Sequence, residues 1–92
     1  MKTYELDFLE DALKEWKKLN STVRDQFAKM LDERLAAPRV PSARLSDFPD
    51  CYKIKLRKAG YRLVYRVDDG RIVIIVIAIG HRAYKAAARQ ME

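Results

Sequence analysis

One cysteine, one histidine, three glycines and three prolines are all that this 92-residue chain holds of the residue types that punctuate loops and build most metal and nucleophile sites. The lone Cys51 cannot form an internal disulfide, and its solitary state fits a reducing compartment. Cys51 and the single histidine together fall short of the four ligands a structural zinc site takes. No CxxC, HExxH, GxGxxG, GxSxG or P-loop pattern occurs, so the usual signatures of metal, nucleotide and acyl-transfer chemistry are missing. Neither a metal nor an organic cofactor is expected. Asp47 and Asp50 bracket Phe48 and Pro49, a spacing that shapes turns more readily than it binds a cation. Cys51 itself reads as a small residue at the start of a strand, because the only imidazole that could activate it, His81, lies thirty residues away.

Long hydrophobic runs are also lacking. The longest, Ile72 to Ile79, is eight residues, against the roughly 20 needed to cross a bilayer as a helix. The first eleven residues are polar and acidic and do not resemble a secretory leader. A cytoplasmic protein without a membrane partner is expected. Ninety-two residues make a single domain, 1–92, and 49% apolar with 35% charged residues describe a compact chain rather than a disordered one.

Acidic residues are scarce in one half only. Residues 1–50 carry a net charge of −1 and residues 51–92 carry +7. Such asymmetry points to a polyanionic partner, with RNA, DNA and an acidic protein all eligible.

The basic half begins with the stretch Cys51 to Val67, CYKIKLRKAGYRLVYRV. In an extended chain Tyr52, Ile54 and Leu56 share one face, and Lys53, Lys55 and Arg57 share the other. After Gly60 the alternation resumes, with Tyr61, Leu63, Tyr65 and Val67 opposite Arg62, Val64 and Arg66. Matching the apolar sets pairs Leu56 with Tyr61 and Ile54 with Leu63. That register leaves Arg57 to Gly60 as a four-residue loop, sets Lys55 opposite Arg62, and brings Lys53 onto the same surface.

Around this hairpin the chain falls into order. Tyr4, Leu6 and Phe8 alternate with acidic residues as a first strand with one buried face. Ala12, Leu13, Trp16 and Leu19 come next at helical spacing until Asn20. Ser21 or Thr22 can cap a second helix that presents Val23, Phe27, Met30, Leu31 and Leu35 and stops at Pro38. The short linker implies an antiparallel helical hairpin, with Trp16 and Phe27 in the core. Pro38 to Asp50 is irregular, and Arg39 and Arg44 read as solvated, with Arg44 near enough to the cationic strand to share its ligand. A tight turn centred on Asp69 and Gly70 leads into a central strand, Arg71 to Ile79, covered on both sides. Tyr84 to Met91 is an alanine-rich helix or tail. The expected class is α+β, an antiparallel sheet packed on an N-terminal helical hairpin, in the order β-α-α-β-β-β with a short C-terminal helix or tail.

The side chains left to carry chemistry are Lys53, Lys55, Arg62, His81, Arg82 and Tyr84. The plainer reading makes them a solvated basic face. The functional reading notes that these cations interrupt well-formed strands, where rigid elements hold charge in place. Histidine is the side chain best suited to proton exchange near neutrality, so His81 is a candidate acid–base group, beside the blander role of local hydrogen bonding at a strand end.

CYKIKL, then GYRLVY, then a Val- and Ile-rich strand ending in GHR, behind the helix ALKEWKKL and the helix start STVR, resemble the RelE toxins of bacterial toxin–antitoxin pairs. The resemblance spans nearly the whole chain. It implies a RelE-like fold and an endoribonuclease that enters the ribosomal A site and cuts mRNA there, without metal. The family's basic catalytic set falls on Lys53, Lys55, Arg62 and Arg82. Attack by a 2′-hydroxyl on the adjacent phosphate needs a base, charge stabilisation at phosphorus and a proton for the leaving oxygen. Arg62 and Arg82 suit the phosphate oxygens. Lysine, with an ordinary pKa of about 10.4, becomes a better base where neighbouring positive charge disfavours its ammonium. Lys55 is assigned the base, and Lys53 the acid or electrostatic role.

Relatives carry a tyrosine several residues beyond this arginine, whereas Tyr84 stands two residues on, which suggests a shortened connection and a role in stacking or in orienting the 2′-hydroxyl. At Ser46, relatives often have a basic residue, and Arg44 is expected to stand in. Arg44, Arg57, Lys58, Arg66 and Lys85 are the expected RNA contacts. The implied partners are a RelB-like antitoxin, the ribosome and mRNA, and operator DNA only through the antitoxin complex. A noncatalytic basic module, acting as inactive toxin or corepressor, is the alternative.

Overall fold

The computed structural model describes residues 3–90. Met91, the end of the expected C-terminal segment, lies outside the described residues. Strand β1 (Glu5–Phe8) leads into helices α1 (Glu10–Lys18) and α2 (Ser21–Ala36). A single 3₁₀ turn at Pro41–Ala43 then precedes strands β2 (Cys51–Leu56), β3 (Tyr61–Asp68) and β4 (Val73–Gly80), and helix α3 (Ala83–Gln90) closes the described chain. The class and element order agree with the sequence reading.

The sheet order is β1-β4-β3-β2. β2, β3 and β4 form the expected antiparallel meander, and β1 joins its far edge parallel to β4. Apolar alternation marked β1 as a strand but carries no information about direction, so this parallel pair was not foreseeable. Leu6 of β1 is 38% exposed, although its neighbours of the same parity, Tyr4 and Phe8, pack against the core.

The two helices pack on one face of the sheet, α1 over β4 and α2 over β2. Phe27 and Leu31 of α2 are buried there with Ile54, Leu63, Tyr65 and Ile74 of the sheet. Trp16 of α1 lies partly buried against Phe8, with ring centroids 5.3 Å apart. The cap of α2 is Asn20 rather than Ser21 or Thr22. Its side-chain oxygen accepts from the Val23 amide at 2.9 Å, and Ser21 is already the first helical residue. Asparagine is as good a cap as serine, and its position sets the helix start.

The second face carries a smaller apolar cluster, in which Ala83 and Ala87 of α3 meet Cys51, Val64, Ile77 and Ala78. Small side chains let a short helix lie close to the sheet, and burial against β3 and β4 gives it the stability that eight residues lack alone.

Two irregularities set the geometry of the basic end. Tyr65 pairs with Val76 and Val64 with Ala78, so Ile77 is an extra residue, a β-bulge in β4. The bulge reverses the facing of the residues beyond it, so that Gly80 pairs with Arg62 and brings the segment His81–Arg82 beside β3. The second connection is not the tight Asp69–Gly70 turn. Asp68 pairs with Val73, leaving a four-residue loop, Asp69 to Ile72. In that loop Ile72, not Gly70, takes the left-handed conformation at φ 54°.

The physical reason lies in the bonds Asp69 makes. Its carboxylate accepts from the Tyr4 hydroxyl and, at 2.7 Å, from the Arg39 guanidinium. Arg39 also reaches Asp50 at 2.9 Å and the Tyr52 hydroxyl at 3.4 Å. The Ile72 carbonyl accepts from the Glu5 amide. Arg39 is exposed, as expected of a loop residue, but it is also held in place: it ties the irregular connection, β2 and the β3–β4 loop together, and Asp69 carries the link on to Tyr4.

Candidate active site

β2 and β3 pair in the expected register, with Leu56 against Tyr61, Ile54 against Leu63 and Lys55 against Arg62. Lys53 and Lys55 sit two residues apart on one face of β2, roughly 7 Å along the strand. Arg62 stands across from Lys55, within roughly 5.5 Å at Cβ. Three cations thus share one patch of rigid sheet. Like charges so placed repel, and the first consequence is on Lys55: the Lys53 ammonium, then partial desolvation, then Arg62 and Arg57, hold its pKa below the ordinary lysine range. Lysine is the more reactive as a base the less its ammonium is favoured.

The opposite face of the same strand is pinned from beneath. Arg34 of α2 donates to the Lys53 carbonyl at 3.3 Å and to the Tyr65 hydroxyl at 2.8 Å, and Tyr65 in turn donates to the Pro38 carbonyl at 2.6 Å. Nothing in the local pattern of α2 marks this arginine, whose partners lie 19 and 31 residues on.

Arg62 is half-buried and held on two sides. Its guanidinium donates to the His81 carbonyl at 3.3 Å and lies 5.3 Å from the centre of the Tyr84 ring, a cation–π contact. Tyr84, two residues beyond Arg82, therefore stands with the sheet cations. Its hydroxyl is buried without a hydrogen-bond partner among the described residues, and burial raises its pKa. His81 stacks on Tyr61 with ring centroids 4.3 Å apart, and its Nδ1 lies 2.8 Å from the Gly60 carbonyl. A groove of about 300 Å³ runs past these groups, lined by Lys55, Arg57, Gly60, Tyr61 and Arg62.

Other expected residues lie further out. Arg82 caps the start of α3, its carbonyl accepting from the Lys85 and Ala86 amides. Arg82 lines a separate groove of about 370 Å³ between α1 and α3, with Asp11 and Glu15 of α1 among the walls. Arg57 and Lys58 are exposed in the β2–β3 loop, and Lys85 is exposed on α3. Arg66 shares the face of Arg62 but lies four residues along β3, roughly 13 Å away, beside Asp50 and Asp69. Arg44 pairs with Tyr52, a residue of the helix-covered face, so its parity turns it from Lys53 and Lys55. Cys51 is buried beside Arg66, and desolvation pushes its thiol up to about 11, as suits an inert core residue.

A four-stranded sheet backed by two helices on one face, with a cluster of lysine and arginine on the other face beside α3, defines a small basic α+β protein. Comparison with known proteins sharpens this class. Residues 6–85 match the family described as the ParE toxin of type II toxin–antitoxin systems. The chain is 58% identical over 79 residues to the mRNA interferase toxin RelE of Escherichia coli K12, covering 86% of this chain and 83% of that one. A double arginine-to-alanine mutant of E. coli RelE in the free state superposes with a TM-score of 0.89 at 50% identity, covering 98% of this chain and 99% of that one. The toxin in the intact E. coli RelBE toxin–antitoxin complex gives 0.82 at 58% identity, over 84% and 94% of the two chains. The chain belongs to the RelE/ParE family of toxins.

Proposed function

We propose that the protein is the toxin of a type II toxin–antitoxin pair, an endoribonuclease that cuts mRNA in the ribosomal A site, with residues 1–92 acting as one RelE-like toxin domain. The observation that carries the reading is Lys55: a lysine with a lowered pKa, set opposite Arg62 and beside Lys53 on paired strands. The likeness to an mRNA interferase at 58% identity supports the substrate.

In the proposed mechanism Lys55 takes the proton of the attacking 2′-hydroxyl. Arg62 holds the phosphate oxygens as charge builds in the transition state, and Arg82, which lies in the separate groove beside α1, joins it by swinging its long side chain across when the strand is bound. Lys53 supplies positive charge and the proton for the leaving 5′-oxygen. Tyr84, its hydroxyl buried and its ring beneath Arg62, positions that guanidinium in the structure described, and the expected contact with the 2′-hydroxyl or a base would need its ring uncovered. Arg57, Lys58, Arg66 and Lys85 add phosphate contacts that position without reading sequence. The ribosome contributes the geometry of the strand, a role that suits a site with no strong acid–base pair of its own.

The partners in this reading are a RelB-like antitoxin, the ribosome and mRNA, with operator DNA engaged only through the antitoxin complex. No helix among the described residues is long and apolar enough to cross a membrane, and a cytoplasmic site of action is the one a ribosomal substrate requires.

The discriminating experiment separates turnover from affinity. Lys55→Ala and Arg82→Ala are compared with wild type for single-turnover cleavage of ribosome-bound mRNA and for binding to the same complex carrying a 2′-deoxy block. Catalysis predicts a loss of at least about a hundredfold in rate with much smaller losses in affinity. A noncatalytic basic module predicts no cleavage by any form and binding losses that merely track charge.

A further inference from the structure

The Tyr61–His81 ring pair stands at the rim of the groove without a part in the proton and phosphate chemistry of the lysines and arginines. Tyr61 packs against the main core on one side. On its other side lies the His81 ring, 4.3 Å away and tilted by 27°, and His81 itself is exposed. The order is core, tyrosine, imidazole, solvent, so the outer surface of the stack is an open aromatic face.

That face is held in place. A carbonyl oxygen can only accept, so His81 Nδ1 carries the proton it gives to Gly60 at 2.8 Å, whatever the charge of the ring. The His81 carbonyl is held in turn by Arg62 at 3.3 Å. Gly60 takes φ +70°, and a Cβ there would already touch His81 Nδ1 at 3.4 Å, so the bare backbone lets the imidazole lie over the turn. Gly60 and Tyr61 also line the groove with Lys55, Arg57 and Arg62. Tyr61 has the strand parity of Leu56 and the helix-covered core, and Lys55 and Arg62 have the other, so ring and cations meet at the hairpin end, in this groove. Cations beside a fixed flat ring are the arrangement by which proteins take hold of single-stranded nucleic acid.

We infer that the Tyr61–His81 stack is a platform for one unpaired nucleobase of the RNA strand whose phosphates lie along Lys55 and Arg62. The inference rests on the proposed RNA substrate and deepens it, giving the strand a base-binding subsite that is tolerant of base identity, since every base has a π face. A platform needs a flat ring, whereas an acid–base role needs the imidazole nitrogen. Substitution can therefore tell them apart.

The test uses wild type, His81→Ala and His81→Phe. One arm measures kcat and KM on ribosome-bound mRNA. The other records the fluorescence of a short uncleavable 2′-deoxy-blocked RNA carrying 2-aminopurine, whose emission falls on stacking. The platform predicts that His81→Ala raises KM roughly tenfold with a smaller effect on kcat and removes the quench, and that His81→Phe recovers most of both. An unchanged KM and quench in His81→Ala would overturn it. So would equal losses of kcat in both variants with the quench retained. Absence of cleavage by wild type would count against the nuclease reading instead, and the quench would still decide the platform.

Discussion

At the residue scale, the behaviour of Lys55 is set by its neighbours. Positive charge on Lys53, Arg62 and Arg57 disfavours its ammonium, so its pKa lies below the ordinary value. If neutral Lys55 is the base, cleavage rises with pH as the ammonium loses its proton. Removing a positive neighbour restores the ammonium and moves that rise to higher pH. Lys53→Gln is expected to shift the rising limb upward by more than Arg57→Gln does, since Lys53 is the largest influence. Single-turnover rates across an alkaline pH series check this, and a limb that stays put in Lys53→Gln would remove Lys55 from the base role.

The lysines and Arg62 were legible in the sequence because strict alternation placed them on one face and the apolar partners fixed the register. Arg34 and Arg39 were not. Their partners are set by the folding of distant segments, and a loop arginine among prolines looks solvated until Asp50 and Asp69 are brought to it.

At the scale of elements, alternation identified β1, β2 and β3, and helical spacing identified α1 and α2. It failed where there was nothing to alternate. The run Ile72 to Ile79 is apolar throughout, so the bulge at Ile77 leaves no trace in composition, although it decides which face Gly80 shares. The Asp69–Gly70 signal was overridden by the pull of Tyr4 and Arg39 on Asp69.

Two predictions belong to this scale. Asn20→Ala removes the α2 cap and is expected to cost about 1 kcal/mol in urea unfolding, with Ser21→Ala and Thr22→Ala nearly neutral. Ala87 is fully buried against the sheet, so Ala87→Leu overpacks the α3 interface and is expected to cost about 1–3 kcal/mol. The same substitution should lower cleavage, because α3 carries Tyr84 beneath Arg62. An Ala87→Leu protein of unchanged stability would show that α3 is not packed closely on the sheet.

At the scale of the molecule, the basic half of the chain is the sheet half, and the face away from α1 and α2 gathers its cations beside α3. Binding to single-stranded RNA should therefore weaken steeply with salt, the logarithm of affinity falling by roughly 0.7 per phosphate contact for each unit of log salt. Lys58→Ala is expected to reduce that slope by somewhat less than one contact's worth.

The central claim is that this surface cuts mRNA by 2′-hydroxyl attack while the ribosome holds the strand. The most direct measurement adds the purified protein to ribosomes stalled with a defined codon in the A site, beside the same mRNA free in solution, then maps new ends by primer extension and identifies their chemistry. The expected result is cleavage confined to the A-site codon, leaving a 2′,3′-cyclic phosphate and a 5′-hydroxyl, and lost in Lys55→Ala and Arg82→Ala. Intact mRNA on ribosomes that have bound folded protein, or ends carrying a 5′-phosphate, would contradict it.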